Sequence, residues 1–217
     1  MPYTGAVTVD GAADVLVLTH LQVTKVAVGP MDNNAYLLRC RDSGQQLLID
    51  AAEDPERLLE LIGDDGLTTV VTTHRHADHW QALPLVLQET GATCVAGRDD
   101  ADHLPVDVDR ALDDCDEVQV GNCGLRVVHL VGHTPGSVAL VYDDPDGHPH
   151  AFTGDSLFPG GVGKTNTPTA FRQLVDEVEA KLFDKLPDAT WVYPGHGNDT
   201  TLEAERPYVD EWRSRGW

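Results

Sequence analysis

The stretch Thr73-His74-Arg75-His76-Ala77-Asp78-His79 places three imidazoles and a carboxylate within the six residues from His74 to His79. These are donor types that divalent and first-row transition metals take. An apolar β-branched run, Thr68 to Thr73, precedes the stretch, and a run of helical character, Trp80 to Thr90, follows it. The order is buried strand, ligand-rich turn, helix. Three more donors stand in similar settings: His133 in Gly132-His133-Thr134-Pro135-Gly136, Asp155 in Thr153-Gly154-Asp155-Ser156, and His196 in Pro194-Gly195-His196-Gly197. Each follows an apolar strand, and the glycines let backbone approach without a Cβ clash. The inventory is His74, His76, Asp78, His79, His133, Asp155 and His196. Five imidazoles and two carboxylates suit zinc, and also iron or manganese. They exceed what one tetrahedral ion needs. With Asp155 bridging, they would hold two ions with positions left open for water.

The elements that must position these donors are legible from periodicity and punctuation. Strands are expected over 14–18, 23–28, 35–39 and 46–49, broken by Gly29-Pro30 and Asp32-Asn33-Asn34. Asp54-Pro55 opens a helix through Ile62, with Asp54 as N-cap. After the His-rich turn, strands are expected over 92–96, 117–120, 125–131, 138–142, 151–153 and 191–193. Residues 97–104 read as a short helix and loop, Phe171 to Leu186 as an amphipathic helix, and Thr201 to Arg215 as a final helix perturbed by Pro207. Strands come first, then strands mixed with helices. That order suggests helices over the outer faces of two sheets, rather than strict βα alternation.

The chain of 217 residues fits one domain, residues 1–217, and can bury a sizeable core. A formal charge of −21 repels phosphate backbones and argues against a nucleic-acid partner. No run approaches a membrane span, and the first residues lack a signal peptide's basic start and apolar centre, so a soluble cytoplasmic protein is expected. Cys40, Cys94, Cys115 and Cys123 are scattered, and are expected as buried or half-buried free thiols. His129 falls inside a strand and reads as structural. His148 and His150, beside the turn Asp143 to Gly147, read as surface residues.

The donor spacing resembles the metallo-β-lactamase superfamily, with its His-x-His-x-Asp-His signature and downstream His, Asp and His. Within it the chain is most similar to glyoxalase II, the hydroxyacylglutathione hydrolases, of short single-domain type. The matching segments are Asp32 to Leu37, Leu48-Ile49-Asp50, the stretch at His74, Gly132 to Gly136, Gly154 to Lys164, and Gly195-His196-Gly197. The resemblance implies an α/β (α+β) fold, a four-layer αββα sandwich of two mixed sheets flanked by helices. It implies one ion on His74, His76 and His133, a second on Asp78, His79 and His196, and Asp155 shared, with zinc the leading metal. It implies that Asp50 orients a ligand from behind the metals and that Lys164 contacts the thiol carrier. Trp80, where relatives often carry smaller residues, reads either as a pocket wall or as a core aromatic at a helix start. Met31 and Tyr36 border a loop that often overhangs the pocket in the family, so a substrate contact is expected of either, Met31 first.

The chemistry expected of such a site is acyl transfer to water. A water held between two cations becomes a hydroxide near neutral pH and attacks an acyl carbonyl, with the metals facing the developing oxyanion. A thiolate leaves without a strong general acid, because its pKa is about 8.5. Asp78 is the candidate catalytic residue that orients the hydroxide. The expected substrate is a small S-acyl thiol conjugate such as S-lactoylglutathione. Two alternatives keep the same fold: a lactone or β-lactam hydrolase, and an iron-dependent persulfide dioxygenase using His133, Asp155 and one histidine of the first stretch. A non-catalytic metal-binding protein would have no need of open coordination positions.

Overall fold

A computed structural model describes residues 2–216. The N-terminal half builds a seven-stranded mixed sheet in the order β1-β2-β3-β4-β5-β6-β7. Its strands are β1 (Asp14–Val17), β2 (Leu21–Val28), β3 (Asn33–Cys40), β4 (Gln46–Ile49), β5 (Thr69–Thr72), β6 (Thr93–Gly97) and β7 (Arg110–Leu112). Pairing is antiparallel from β1 to β4 and parallel from β4 to β7. The parallel half carries the crossover helices α1 (Pro55–Ile62), α2 (Leu83–Thr90) and α3 (Arg98–Ala101).

The C-terminal half builds a six-stranded sheet from β8 (Glu117–Val120), β9 (Cys123–His129), β10 (Val138–Tyr142), β11 (His150–Gly154), β14 (Trp191–Pro194) and β15 (Thr200–Thr201), in the order β15-β14-β11-β10-β9-β8. Between β11 and β14 lie the small hairpin β12 (Leu157–Phe158) and β13 (Gly161–Val162) and helix α4 (Pro168–Val178). Helices α5 (Leu202–Glu205) and α6 (Val209–Arg215) follow.

Alternation along the strands sorts the apolar side chains into three layers. Leu21, Val23, Leu38 and Ile49 meet Leu125, Val127, Leu140, Phe152 and Tyr193 between the sheets. Val26, Val28, Leu48 and Val70 pack outward against Leu58 and Ile62 of α1 and Leu83 and Val86 of α2. Val128, Val141 and Val192 pack outward against Leu174 and Val178 of α4 and Trp212 of α6. The result is the expected four-layer αββα sandwich.

Three helices depart from the periodicity reading. The helix expected from Trp80 begins at Leu83, because Ala77–His79 first makes a tight 3₁₀ turn, with His79 N bonded to His76 O and Trp80 N to Ala77 O. The helix expected from Phe171 begins earlier, at Pro168, where Thr167 caps Ala170 N, and widens into a π-helical turn over Glu179–Phe183. The last helix is split into α5 and α6 by a 3₁₀ turn at Arg206–Tyr208, which holds Pro207. No helix among the described residues is long and apolar enough to cross a membrane.

Candidate metal centre

Strand direction gathers the donors. In the first sheet β4 and β5 run parallel, so Asp50 and the His74 turn leave the same edge. In the second sheet β9, β11 and β14 share one direction, and His133, Asp155 and His196 all follow the ends of these strands. Backbone bonds sew the two edges together, Val138 N to Thr73 O and Asn34 N to Gly195 O, while Gly195 N to Gly154 O ties the two loops of the second sheet to each other. At Gly195 a Cβ would overlap Asp155 Oδ1 and crowd His79, so only glycine allows this approach.

The seven expected donors converge in two clusters. In the first, His74 Nε2 lies 3.1 Å from His76 Nδ1 and 3.2 Å from His133 Nε2, and His76 Nδ1 lies 2.8 Å from His133 Nε2. In the second, His79 Nε2 lies 3.3 Å from His196 Nε2 and 3.5 Å from Asp78 Oδ2, and His196 Nε2 lies 3.3 Å from Asp78 Oδ2. Asp155 stands between them. Its Oδ1 is 3.3 Å from His79 Nε2, and its Oδ2 is 3.5 Å from His133 Nε2 and 3.6 Å from His196 Nε2.

Three features show that these residues fit divalent ions. A tetrahedral ion with bonds of about 2.1 Å holds its ligands roughly 3.4 Å apart, close to the spacings found. Asp155 Oδ1 is buried without a hydrogen-bond partner among the described residues, an orphan that a cation would satisfy. The inward nitrogens are also freed by what the outward ones do. His79 Nδ1 faces Asp50 Oδ2 at 2.8 Å, His133 Nδ1 faces Lys164 O at 2.6 Å, and His196 Nδ1 faces Met31 O at 2.9 Å. His74 Nδ1 meets Thr73 Oγ1 at 3.0 Å, and that hydroxyl donates to Asp50 Oδ2 at 2.8 Å. An N–H donated outward leaves the lone pair of each Nε2 pointing at its cluster.

Electrostatics divide the clusters. Burial, and then the neighbouring imidazoles, hold His74 well below the usual histidine range; burial also lowers His76 and His133. Neutral imidazoles are the form that binds metal. In the second cluster burial opposes charge on His79, but Asp50 and Asp155 outweigh it and push the imidazole up to about 10. Contact with His196, and then with Asn33, holds Asp78 well below the usual carboxylate range. The carboxylates thus make the second cluster favour positive charge, which a cation would satisfy.

Asp50 sits with φ 58°, a left-handed conformation that aspartate tolerates, and its carboxylate turns back to accept Thr73 N at 2.7 Å. It thereby orients one histidine of each cluster. The other expected site residues are more peripheral. Trp80 is half-buried against the outer core of the first sheet and donates Nε1 to Arg75 O at 2.8 Å, which braces the His-rich turn. The Met31 and Lys164 side chains are exposed, and what reaches the centre from both is the backbone carbonyl. Lys164 lines a cavity of about 260 Å³ with Phe158 and Arg215, and the Phe158 ring is 6.3 Å from that of His196. Tyr36 is buried and donates its hydroxyl to Pro194 O at 2.7 Å, so it supports the His196 loop from below.

Sequence reading missed several partners. Asn33 donates Nδ2 to Asp78 Oδ2 at 3.0 Å. Asp100, at 1% exposure, accepts Arg75 N at 3.1 Å, Gly136 N at 3.0 Å and the Thr134 hydroxyl, tying the His74 turn to the His133 loop. No local pattern marks an acid in so acidic a chain. Two expectations fail. His150 is buried, with Nδ1 2.8 Å from the Tyr193 hydroxyl, because β11 pairs with β14 and carries it beneath that ring. Cys115 is exposed, in a turn where it adopts φ 67°. His129 bonds Pro135 O at 2.7 Å and is structural, as expected.

A model of the metallo-β-lactamase superfamily matches residues 28–196. A hydroxyacylglutathione hydrolase of Fuscovulum blasticum is 36% identical over 168 residues, covering 76% of this chain and 62% of that protein. The chain thus spans less than two thirds of the length of that relative. Among solved structures, ETHE1 from Myxococcus xanthus is 30% identical with a TM-score of 0.75, covering 88% of this chain and 84% of that one. TTHA1623 in a di-iron-bound form is 31% identical with a TM-score of 0.70, covering 84% and 96%.

Proposed function

Because the chain belongs to the metallo-β-lactamase superfamily, we propose that it is a metal-dependent hydrolase that cleaves the thioester of a small S-acyl thiol conjugate, S-lactoylglutathione being the model substrate. The observation that carries this reading is the placing of Asp155 between two three-donor clusters, its oxygens 3.3 Å from His79 and 3.5 Å from His133. On this reading His74, His76 and His133 hold one divalent ion, Asp78, His79 and His196 hold the other, and Asp155 serves both. Zinc suits these donors, and iron or manganese fits the same set. The likeness to hydroxyacylglutathione hydrolases supports the thioester.

When bound, a pair of divalent ions supplies an acidified water and a Lewis acid for the acyl carbonyl. The chain's own residues supply the rest. Asp78 stays ionised and is held by Asn33 Nδ2, so it can orient the proton of the attacking water. Asp50 and the carbonyls of Lys164 and Met31 fix the ring planes, so no donor has to reorganise during the reaction. No side chain has to protonate the leaving group, because a thiolate departs with a pKa of about 8.5. The exposed Lys164, which lines the adjoining cavity, would attract an anionic thiol carrier.

A second reading, a persulfide dioxygenase with a single iron, has one observation in its favour. His133 Nε2 lies 3.2 Å from His74 Nε2 and 3.5 Å from Asp155 Oδ2, so the expected two histidines and a carboxylate of a non-haem iron also lie together. Metal analysis of the purified protein, combined with assays on S-lactoylglutathione and on a lactone and a β-lactam, separates the readings. Two ions per chain with thioester turnover is the expected result. One iron per chain, with oxygen consumed on glutathione persulfide and no thioester cleaved, would sink it.

A further inference from the structure

Lys25 occupies an inward position of β2. It shares a face with Leu21 and Val23, whose side chains fill the layer between the sheets. Its side chain is 0% exposed. The three donors of its ammonium are all used: Nζ lies 2.6 Å from Gly5 O, 2.7 Å from Gly197 O and 2.6 Å from Asp199 Oδ1. Asp199 is 1% exposed, and its other oxygen accepts the Tyr3 hydroxyl at 2.7 Å and Trp191 Nε1 at 2.9 Å. A buried ion pair adds little stability compared with an apolar pair of the same size. Its presence in this core calls for another role, and its contacts indicate one.

The pair reaches the loop that carries His196. Gly197 O is gripped both by Lys25 Nζ and by Asn34 Nδ2, the latter at 2.9 Å. On the other side of His196, Gly195 O accepts Asn34 N at 2.8 Å. The backbone is therefore fixed immediately before and after the histidine by groups of the opposite sheet. Gly197, at φ +69°, makes the turn that brings its carbonyl down onto Lys25. The Asp78 and His79 donors come from the first sheet and His196 from the second, so their spacing depends on how tightly this loop is held across the gap.

We propose that Lys25, locked by Asp199, is a positioning residue that holds His196 in register with Asp78 and His79 and thereby sets the affinity of the second cluster for its ion. This rests on the two-ion reading of the centre. The first cluster is braced by other groups, His74 Nδ1 by Thr73 Oγ1 and His133 Nδ1 by Lys164 O.

The test is a metal competition titration with a chromophoric chelator, using zinc alone, on the wild-type chain and on Lys25→Met, which keeps length and removes the donors. One of the two ions is expected to bind about 10–100-fold less tightly in Lys25→Met, as when an outer partner of a ligand is lost, with the other little changed. Lys25→Met leaves Asp199 buried without its cation, so Lys25→Met/Asp199→Asn, which buries no net charge, is measured beside it with far-UV circular dichroism of the metal-free forms. Selective loss of one ion from a folded double variant supports the proposal. Two ions at wild-type affinity in either folded variant overturn it and leave the pair a structural clamp. A wild-type chain that binds one ion only would overturn the two-ion reading itself, and the inference with it.

Discussion

Asp155 is the residue on which the two clusters depend jointly. It is half-buried just past the end of β11, with one oxygen toward His79 and the other toward His133 and His196. A substitution there differs in kind from the loss of any one histidine, which leaves the opposite cluster complete. Asp155→Ala should release both ions and abolish thioester turnover, a larger loss than the about 10–100-fold expected for an outer partner such as Asp50. Metal content after gel filtration checks this, and retention of two ions with full activity would reject the bridging role. Such residues were legible because they are chemically unusual: a histidine or aspartate framed by glycines at a strand end has few other reasons to be there. Asp100 and Lys25 escaped the same reading because acids and lysines are common, and nothing local distinguishes a buried one from a solvated one.

At the scale of elements, the site is a problem of holding loops rather than strands. Short helix α3 carries Asp100, whose carboxylate collects Arg75 N from the turn after β5 and Gly136 N from the loop before β10. One side chain thus joins the two loops that bear the first cluster. Asp100→Ala would leave the buried Gly136 N–H and the half-buried Arg75 N–H without their acceptor, and turn the Thr134 hydroxyl to Ser137 Oγ alone. At about 1–3 kcal/mol for an unsatisfied buried group, the loss should be several kcal/mol, and the melting temperature should fall by roughly 5–15 °C. Asp100→Asn keeps an acceptor oxygen and should fall less. Equal melting temperatures for Asp100→Ala and wild type would show that the loops are held by other means. Element boundaries were the least legible part of the sequence. The ligand turn consumed residues that periodicity assigned to α2, and the short strands β7 and β15 exist through tertiary partners that no local run of residues announces.

Over the whole molecule, the centre is a joint between two sheets, each built from its own half of the chain. His74, His76, Asp78 and His79 leave the first sheet, and His133, Asp155 and His196 leave the second. The layered architecture was readable in advance, since strand-rich and helix-mixed segments succeed each other in order. The register of one sheet on the other was not, because it rests on long-range contacts such as Lys25 with Asp199 and Asn34 with Gly195. An ion bound across this joint stabilises the folded chain alone, because the unfolded chain has no site. Each ion present at a hundredfold excess over its dissociation constant contributes about 2.7 kcal/mol. For a chain of this size two such ions would raise the melting temperature by roughly 10–20 °C. The formal charge of −21 adds to the effect, since cations relieve self-repulsion where Asp50, Asp78 and Asp155 crowd together. Stripping the protein with a chelator should therefore lower the melting temperature by that amount, and zinc should restore it. Hydrogen exchange should quicken at the site ends of β5, β11 and β14 together, while edge strand β1, far from the joint in the sheet order, stays as protected as before. A melting temperature indifferent to chelation, with metal loss verified by elemental analysis, would mean that the sheets hold their register without the ions.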